Sequence, residues 1–134
     1  MSAPVTIRGN LTADPKLRYS NAGKGIANFT VVTNRRTKNK QSGEWEDTGT
    51  TFWECVAFDS DYFKLAENIC ESCEKGMAVV VQGDVEASNW EDKNGGKRTS
   101  FKVMVNDCGP SLRNAQAKVT RAGGGAREYE EPPF

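Results

Sequence analysis

Histidine is absent from the 134 residues of this chain. Because histidine is the commonest general base and the commonest metal ligand, its absence removes the usual basis for acid–base catalysis and metal binding. The sequence also lacks a Walker-type glycine-rich phosphate loop and any serine or cysteine with an evident base beside it. We therefore expect a binding module rather than an enzyme, with no cofactor and no metal.

Long apolar runs and net charge are absent as well. No stretch is apolar enough to cross a membrane, and the start, Met-Ser-Ala-Pro, lacks the apolar region of a signal peptide. A soluble cytoplasmic protein of one domain is the expectation at this length. Since 18 basic residues balance 18 acidic ones, only the local distribution of charge can indicate an anionic partner.

Four cysteines are present, at positions 55, 70, 73 and 108. In a reducing compartment we expect free thiols. The Cys70-x-x-Cys73 spacing occurs in zinc and redox sites, but no second pair with such spacing is present. The motif also lies near the end of a predicted helix, where the dipole opposes thiolate formation. Structural thiols are the favoured interpretation.

Residues 50–58, with the sequence TTFWECVAF, are typical of a β-strand because β-branched and aromatic residues dominate. Alternation places the apolar Trp53, Cys55 and Ala57 on one face, which is expected to point inward. The other face carries Phe52, Glu54 and Phe58. A face that carries a glutamate is a poor candidate for the deep core, so Phe52 and Phe58 are expected to face outward. They could stack on flat ligands such as nucleic-acid bases, or pack under a loop or a partner subunit.

The remaining pattern predicts mostly strands and one helix. Residues 61–75 form the helix, which Asp59 or Ser60 caps and Gly76 ends, with an apolar stripe that includes Tyr62 and Ile69. Asn94-Gly95-Gly96 is a hairpin turn signal between the last two strands. In the last strand, Phe101 and Val103 are expected to point inward, whereas Trp90 in the strand before it lies on a largely polar face. The predicted strands are residues 5–11, 26–33, 50–58, 77–90 and 99–107, and an extended segment at residues 17–19 follows the first of them.

Basic residues cluster in two places. One is a long polar loop predicted over residues 34–49, and the other is the tip of the last hairpin. Either cluster could contact phosphate groups, or simply lie in solvent as most charged runs do. The basic residues concerned are Arg35, Arg36, Lys38 and Lys40 in the loop, and Lys93, Lys97, Arg98 and Lys102 in the hairpin.

The order β-β-β-α-β-β is that of the OB-fold, a five-stranded Greek-key barrel, here with extended β-hairpins. Several segments resemble the bacterial single-stranded DNA-binding protein family: residues 5–11 (VTIRGNL), 14–19 (DPKLRY) and 27–31 (ANFTV), then Trp53, Phe58 and the Asn89-Trp90 corner. The resemblance covers residues 3–110 and the terminal Pro133-Phe134. It implies an OB barrel over residues 1–110, a flexible linker over 111–127, and an acidic docking tip over 128–134.

The resemblance also implies a function. The protein is expected to bind single-stranded DNA with little sequence preference, usually as a homotetramer, in replication, recombination and repair at the bacterial nucleoid. By position, the base-stacking residues of the family fall on Phe52, Phe58 and Trp90. The C-terminal tip is expected to recruit replication and repair proteins through Glu128, Glu130, Glu131, Pro132, Pro133 and Phe134, although a frayed terminus is the alternative on composition alone.

Some positions depart from the family pattern. Thr37 stands where a stacking tryptophan is often found, and Trp45 could substitute for it. Glu54 replaces a common basic residue on the central strand, and the tail is short. An OB-fold RNA-binding or primosome-accessory protein is the alternative function, and an adaptor acting through its tail or subunit interface is a third. A dimer rather than a tetramer also remains open.

Overall fold

The computed structural model describes residues 3–121, apart from the side chains at positions 47 and 48. The predicted docking tip, residues 128–134, and part of the predicted linker lie outside the described residues. The elements are β1 (Ala3–Leu11), β2 (Lys16–Tyr19), β3 (Gly25–Lys38), β4 (Trp45–Phe58), α1 (Leu65–Ser72), β5 (Ala78–Glu91) and β6 (Lys97–Pro110).

The strands form one sheet in the order β1-β5-β6-β4-β3-β2, which closes because β1 also pairs with β3. β1 runs antiparallel to β5 from Ala3 to Asn10, and its last two residues, Asn10 and Leu11, pair with β3. β4 and β6 meet in a short parallel pairing, Cys55 with Val103 and Val56 with Met104. This closed arrangement confirms the predicted OB-fold, with β2 as an additional short strand along the edge of β3.

The barrel interior is filled by alternate residues of the strands and by one side of the helix, as strand and helix periodicities require. Trp53 is partly buried against this core. The inward orientation predicted for Trp53, Cys55 and Ala57 is confirmed. On the strands, the buried core residues include Ile7, Leu11, Phe29, Val31, Val79, Val81 and Val103. On the helix they are Ala66 and Ile69.

The prediction of a long loop over residues 34–49 is wrong. β3 and β4 continue past the barrel as a two-stranded ribbon, and only residues 39–44 form its turn. The turn is closed by backbone hydrogen bonds between Asn39 and Glu44 (2.8 Å) and between Gly43 and Asn39 (2.8 Å). Both sides of this ribbon face solvent, so its residues other than Trp45 are mostly polar and show no apolar alternation. We call it the β3–β4 arm.

β5 and β6 form a second ribbon, the β5–β6 arm, with its turn at residues 92–96 as predicted. Asp92 organises that turn. Its Oδ1 accepts hydrogen bonds from the backbone N–H groups of Asn94 (2.9 Å) and Gly96 (2.8 Å), and its Oδ2 accepts one from Arg98 Nε (3.0 Å). These bonds hold the pKa of the Asp92 carboxyl below its usual value, with the Gly96 N–H as the largest cause.

The helix is shorter than predicted, and it begins at Leu65 rather than at residue 61. Tyr62, expected in its apolar stripe, precedes the helix and is 95% exposed. The predicted cap is confirmed in part: Asp59 Oδ1 accepts hydrogen bonds from the N–H groups of Ala66 (2.7 Å) and Glu67 (3.2 Å) from outside the helix. Asp59 is buried and directly follows the last residue of β4, so these two hydrogen bonds link the end of β4 to the helix.

The four cysteines are free thiols. Burial raises the pKa of the Cys55 thiol to about 12, and burial is also the main cause that raises the pKa of Cys70. A hydrogen bond with Cys73 raises the pKa of Cys108, and it lowers the pKa of Cys73. Across residues 3–121, no group of three or more cysteine, aspartate or glutamate side chains is placed to hold a metal ion. Nor is any helix there long and apolar enough to cross a membrane.

Candidate nucleic-acid interface

The strand register brings the three predicted stacking residues to one side of the sheet. Directly paired residues share a face, so Phe58 lies beside Ile26 and Phe52 lies beside Val32. Met104 lies beside Val56 and carries the same face onto β6, and pairing of β6 with β5 extends it to Trp90. We call this surface the open face. Its members are the even-numbered residues 16–18 of β2, 26–38 of β3, 50–58 of β4, 84–90 of β5 and 98–104 of β6, together with Trp45, which a register shift in the β3–β4 pairing brings opposite Lys38.

The aromatic side chains of the open face are accessible. Phe52 is 65% exposed, Phe58 43% and Trp90 48%. Phe52 and Phe58 are six residues apart on one strand, a span of about 20 Å, which equals about six steps of ~3.4 Å between stacked bases. Trp90 stands on the β5–β6 arm, away from the barrel. The open face therefore offers separated stacking platforms rather than one aromatic cluster.

Trp45 lies opposite Lys38 on the β3–β4 arm and is 66% exposed. Since Lys38 belongs to the open face, Trp45 shares that face. This position is consistent with the prediction that Trp45 substitutes for the missing tryptophan at Thr37. That Trp45 stacks on a nucleic-acid base stays a prediction.

The predicted basic residues are not all brought together. By register, Arg36, Lys38, Arg98 and Lys102 lie on the open face. Arg35 and Lys97 occupy the opposite sides of their arms, and Lys40 and Lys93 lie in the turns. The Arg98 guanidinium is also engaged by Asp92, at 3.0 Å from Nε to Oδ2. The arms therefore carry positive charge on both sides and at both tips.

Two basic residues of the open face were missed by sequence reasoning. β2 pairs with β3 so that Lys16 lies beside Asn28 and Arg18 beside Ile26, in the same row as Phe58. Both side chains are exposed. The alternating Lys-Leu-Arg-Tyr pattern was the available signal, since it puts two cations on one face of an extended segment.

Phe101 was predicted to point inward, and this is wrong: it is 62% exposed. The side of the strand is as predicted, but β6 has already left the barrel at this position, so the ring stays largely exposed. Phe101 lines a pocket of about 250 Å³ together with Phe52, Trp53, Val85 and Lys102, where β4 and β6 separate. It is a further aromatic beside the open face.

Acidic side chains occupy the middle of the open face. Glu54 lies beside Thr30, and Glu86 lies beside Lys102. Lys16 and Lys102 lie near these carboxylates, and the other basic residues of the face lie farther out, on β2 and on the two arms. An extended polyanion crossing this face would therefore meet mixed charge at its centre and mainly positive charge on the arms.

A model of the single-strand binding protein family matches residues 3–111. The chain belongs to the single-strand binding protein family. The family match covers the whole barrel and both arms, and it confirms the resemblance predicted from the sequence.

Curated relatives agree with the family assignment. The single-stranded DNA-binding protein of Paenarthrobacter aurescens is 44% identical over 117 residues, which are 87% of this chain and 66% of that protein. That of Mycobacterium leprae is 44% identical over 118 residues, 88% of this chain and 68% of that protein. This chain thus spans about two thirds of the length of these relatives.

Solved structures share the fold. The small single-stranded DNA-binding protein from Streptomyces coelicolor superposes with a TM-score of 0.68 at 25% identity, over 83% of this chain and 95% of that one. The Plasmodium falciparum SSB, solved in complex with ssDNA, gives a TM-score of 0.64 at 20% identity, over 79% of this chain and 90% of that one. The latter likeness supports the OB-fold of this family member.

Proposed function

We propose that this chain binds single-stranded DNA by stacking bases on the open face and neutralising phosphates with the basic residues around it. The observation that carries the proposal is the presence of Phe52, Phe58 and Trp90 on one continuous face, each at least 43% exposed. Every base has an aromatic face, so stacking depends little on sequence. Bases in duplex DNA already stack on one another, so a single strand is the preferred ligand.

Titration with an oligothymidylate, followed by tryptophan fluorescence, tests this function. Trp45 and Trp90 are exposed, whereas the indole Nε1 of Trp53 donates a hydrogen bond to Thr33 Oγ1 (3.0 Å). Stacking on bases is expected to quench the exposed indoles to saturation. Absence of quenching by a folded protein would refute the proposal and favour a protein interface on this face. Competition by oligouridylate at equal affinity would favour the RNA-binding alternative.

A double Lys38→Ala, Lys40→Ala variant is expected to reduce the salt dependence of binding. Both lysines are exposed on the β3–β4 arm. Each phosphate contact on a single strand contributes about 0.7 to the slope of log K against log salt, so the slope should fall by about 1.4. An Arg113→Ala, Lys118→Ala variant, which removes two charges after β6, is the control. An unchanged slope in the arm variant would remove these lysines from the DNA path.

We further propose roles in replication, recombination and repair, with partner proteins recruited through residues 128–134. The support is the composition of this segment, in which Glu128, Glu130 and Glu131 precede Pro132, Pro133 and Phe134. Such a tip suits a basic pocket with an apolar floor. Deleting residues 128–134 should abolish capture of replication and repair proteins while leaving DNA binding intact. Equal capture by the full and shortened chains would contradict this role.

Self-association is the remaining part of the proposal, with a tetramer favoured over a dimer. β1 pairs with β5 along one edge, and the described pairing on its other edge involves only Asn10 and Leu11. Exposed strand edges favour pairing across a two-fold axis. Light scattering of the full chain measures the number of subunits.

A further inference from the structure

The open face contains a polar pocket that stacking and phosphate binding do not explain. Its volume is about 360 Å³, and it lies where β2, β3, β4 and β6 run side by side. This volume is within the ~300–1,000 Å³ range of small-molecule sites. Its lining includes Lys16, Asn28, Thr30, Glu54 and Lys102, all on the open face. Hydrogen-bonding groups of both kinds therefore converge beside the aromatic platforms.

Glu54 supplies an unengaged carboxylate to this pocket. Asp14, the other carboxylate in the lining, accepts a hydrogen bond from the backbone N–H of Lys75 (2.8 Å). Within the part of the chain that the structure describes, no hydrogen bond or ion pair engages the exposed Glu54 carboxylate, nor the ammonium groups of Lys16 and Lys102. A carboxylate repels phosphate, so on a face suited to a polyanion it disfavours backbone contact and is available to a hydrogen-bond donor of the ligand.

The base edges of single-stranded DNA supply such a group, because they are not used in pairing. A carboxylate accepts two parallel hydrogen bonds from a ligand that presents two adjacent N–H donors. Guanine presents such a pair, N1–H and the N2 amino group, on its Watson–Crick edge. Its O6 and N7 acceptors, next to that pair, are the atoms that lysine contacts most often in DNA. Glu54 and the ammonium groups of Lys16 and Lys102 line the same pocket, so an acceptor for the N–H pair and donors for O6 or N7 are both available there.

The other bases match less well. Cytosine and adenine each offer one amino group next to a ring acceptor, which would face the carboxylate unfavourably. Thymine offers N3–H between two carbonyl oxygens. Phe52 lies two residues from Glu54 on the same face, about 7 Å along the strand, so a base stacked on its ring has an edge near the carboxylate.

We propose that Glu54 makes this pocket a guanine subsite, so that the protein prefers guanine at one position of a bound single strand. This inference rests on the proposed DNA-binding function and adds a base preference to it. Glu54 acts as the specificity-determining residue, by accepting hydrogen bonds from guanine N1 and N2. The lysines donate to O6 or N7, and Phe52 supplies the stacking surface.

The test compares oligomers that differ only in base edges, bound to the full chain and followed by fluorescence anisotropy. One is an oligothymidylate; in the second every third thymine is replaced by guanine; in the third hypoxanthine, which lacks the N2 amino group, replaces that guanine. Lithium buffer prevents guanine quadruplexes. The variant is Glu54→Gln, and its matched control is Glu71→Gln, which removes the same charge from the exposed side of α1.

The wild-type protein is expected to bind the guanine oligomer about fivefold or more tightly than the thymine oligomer, since a bidentate base contact contributes at least that factor. Hypoxanthine should lose most of this preference. Glu54→Gln should bind the thymine oligomer more tightly, because a repulsive charge is removed, but without any guanine preference. Glu71→Gln should behave as the wild type.

Three outcomes would overturn the inference in distinguishable ways. Equal wild-type affinity for all three oligomers would remove the guanine subsite and leave the DNA-binding function standing. A preference that persists in Glu54→Gln would assign the recognition to another group. Failure of the folded wild-type protein to bind any oligomer would refute the proposed function, and the subsite with it.

Discussion

A Phe52→Ala, Trp90→Ala variant is expected to bind an oligothymidylate roughly 30-fold or more weakly than the wild-type protein, at every salt concentration. Base–aromatic stacking contributes ~1–3 kcal/mol per ring, and the effects of well-separated sites add. Both rings are exposed, at 65% and 48%, so their removal costs little packing in the core. Fluorescence anisotropy of a labelled oligomer measures the loss without depending on the tryptophan signal.

The control for this variant is Tyr19→Ala. Tyr19 is 58% exposed, but it lies on the other side of β2 from the open face, and its hydroxyl donates a hydrogen bond to Glu67 Oε1 on the helix (3.3 Å). The Tyr19→Ala variant should bind DNA with the affinity of the wild-type protein. If the Phe52→Ala, Trp90→Ala variant kept wild-type affinity, the open face would not be the stacking surface. This conclusion would not depend on whether the basic residues contact phosphate.

Replacement of Gly83 by alanine is expected to destabilise the fold by about 3 kcal/mol or more, because overpacking against backbone cannot be relieved by side-chain rotation. A Cβ at this position would lie 2.2 Å from the carbonyl oxygen of Met104 and 2.9 Å from its carbonyl carbon. Gly83 also adjoins the irregularity at which β5 shifts its register against β6. To make room for the added Cβ, β5 and β6 would have to move apart, which breaks hydrogen bonds between them at the base of the β5–β6 arm.

Urea denaturation followed by circular dichroism measures this effect. Gly109→Ala on β6 is the matched control, because a Cβ there meets no heavy atom within 4 Å. It should change the free energy of unfolding little. A Gly83→Ala protein as stable as the Gly109→Ala protein would show that the two strands can move apart at this bulge at little cost.

Much of the barrel could be predicted from the sequence because burial leaves a period in the residue pattern. In β4, Glu54 interrupts an otherwise apolar run, and this one charge assigns Cys55 and Ala57 to the core and Phe52 to solvent. The same reasoning located the last hairpin from Asn94-Gly95-Gly96. In each case a local chemical cost, either a buried charge or a strained turn, determines the structure.

The β3–β4 arm could not be predicted in the same way. Beyond the barrel edge both sides of a ribbon are wet, so residues 34–38 carry no alternation and resemble a loop. For Phe101 the alternation was correct, but burial depends on how far the opposite strands extend, and local sequence does not contain that information. Lys16 and Arg18 belong to the open face only through the pairing of β2 with β3, which is a long-range fact.

The short parallel pairing of β4 and β6 has a mechanical consequence. Only two residue pairs join these strands, Cys55 with Val103 and Val56 with Met104, and the arms diverge beyond them. Opening of this seam breaks few hydrogen bonds, so its free energy lies below that of global unfolding. Opening of the seam would change the separation of the two tips, while the antiparallel pairing within each arm keeps its own aromatic and basic groups in place.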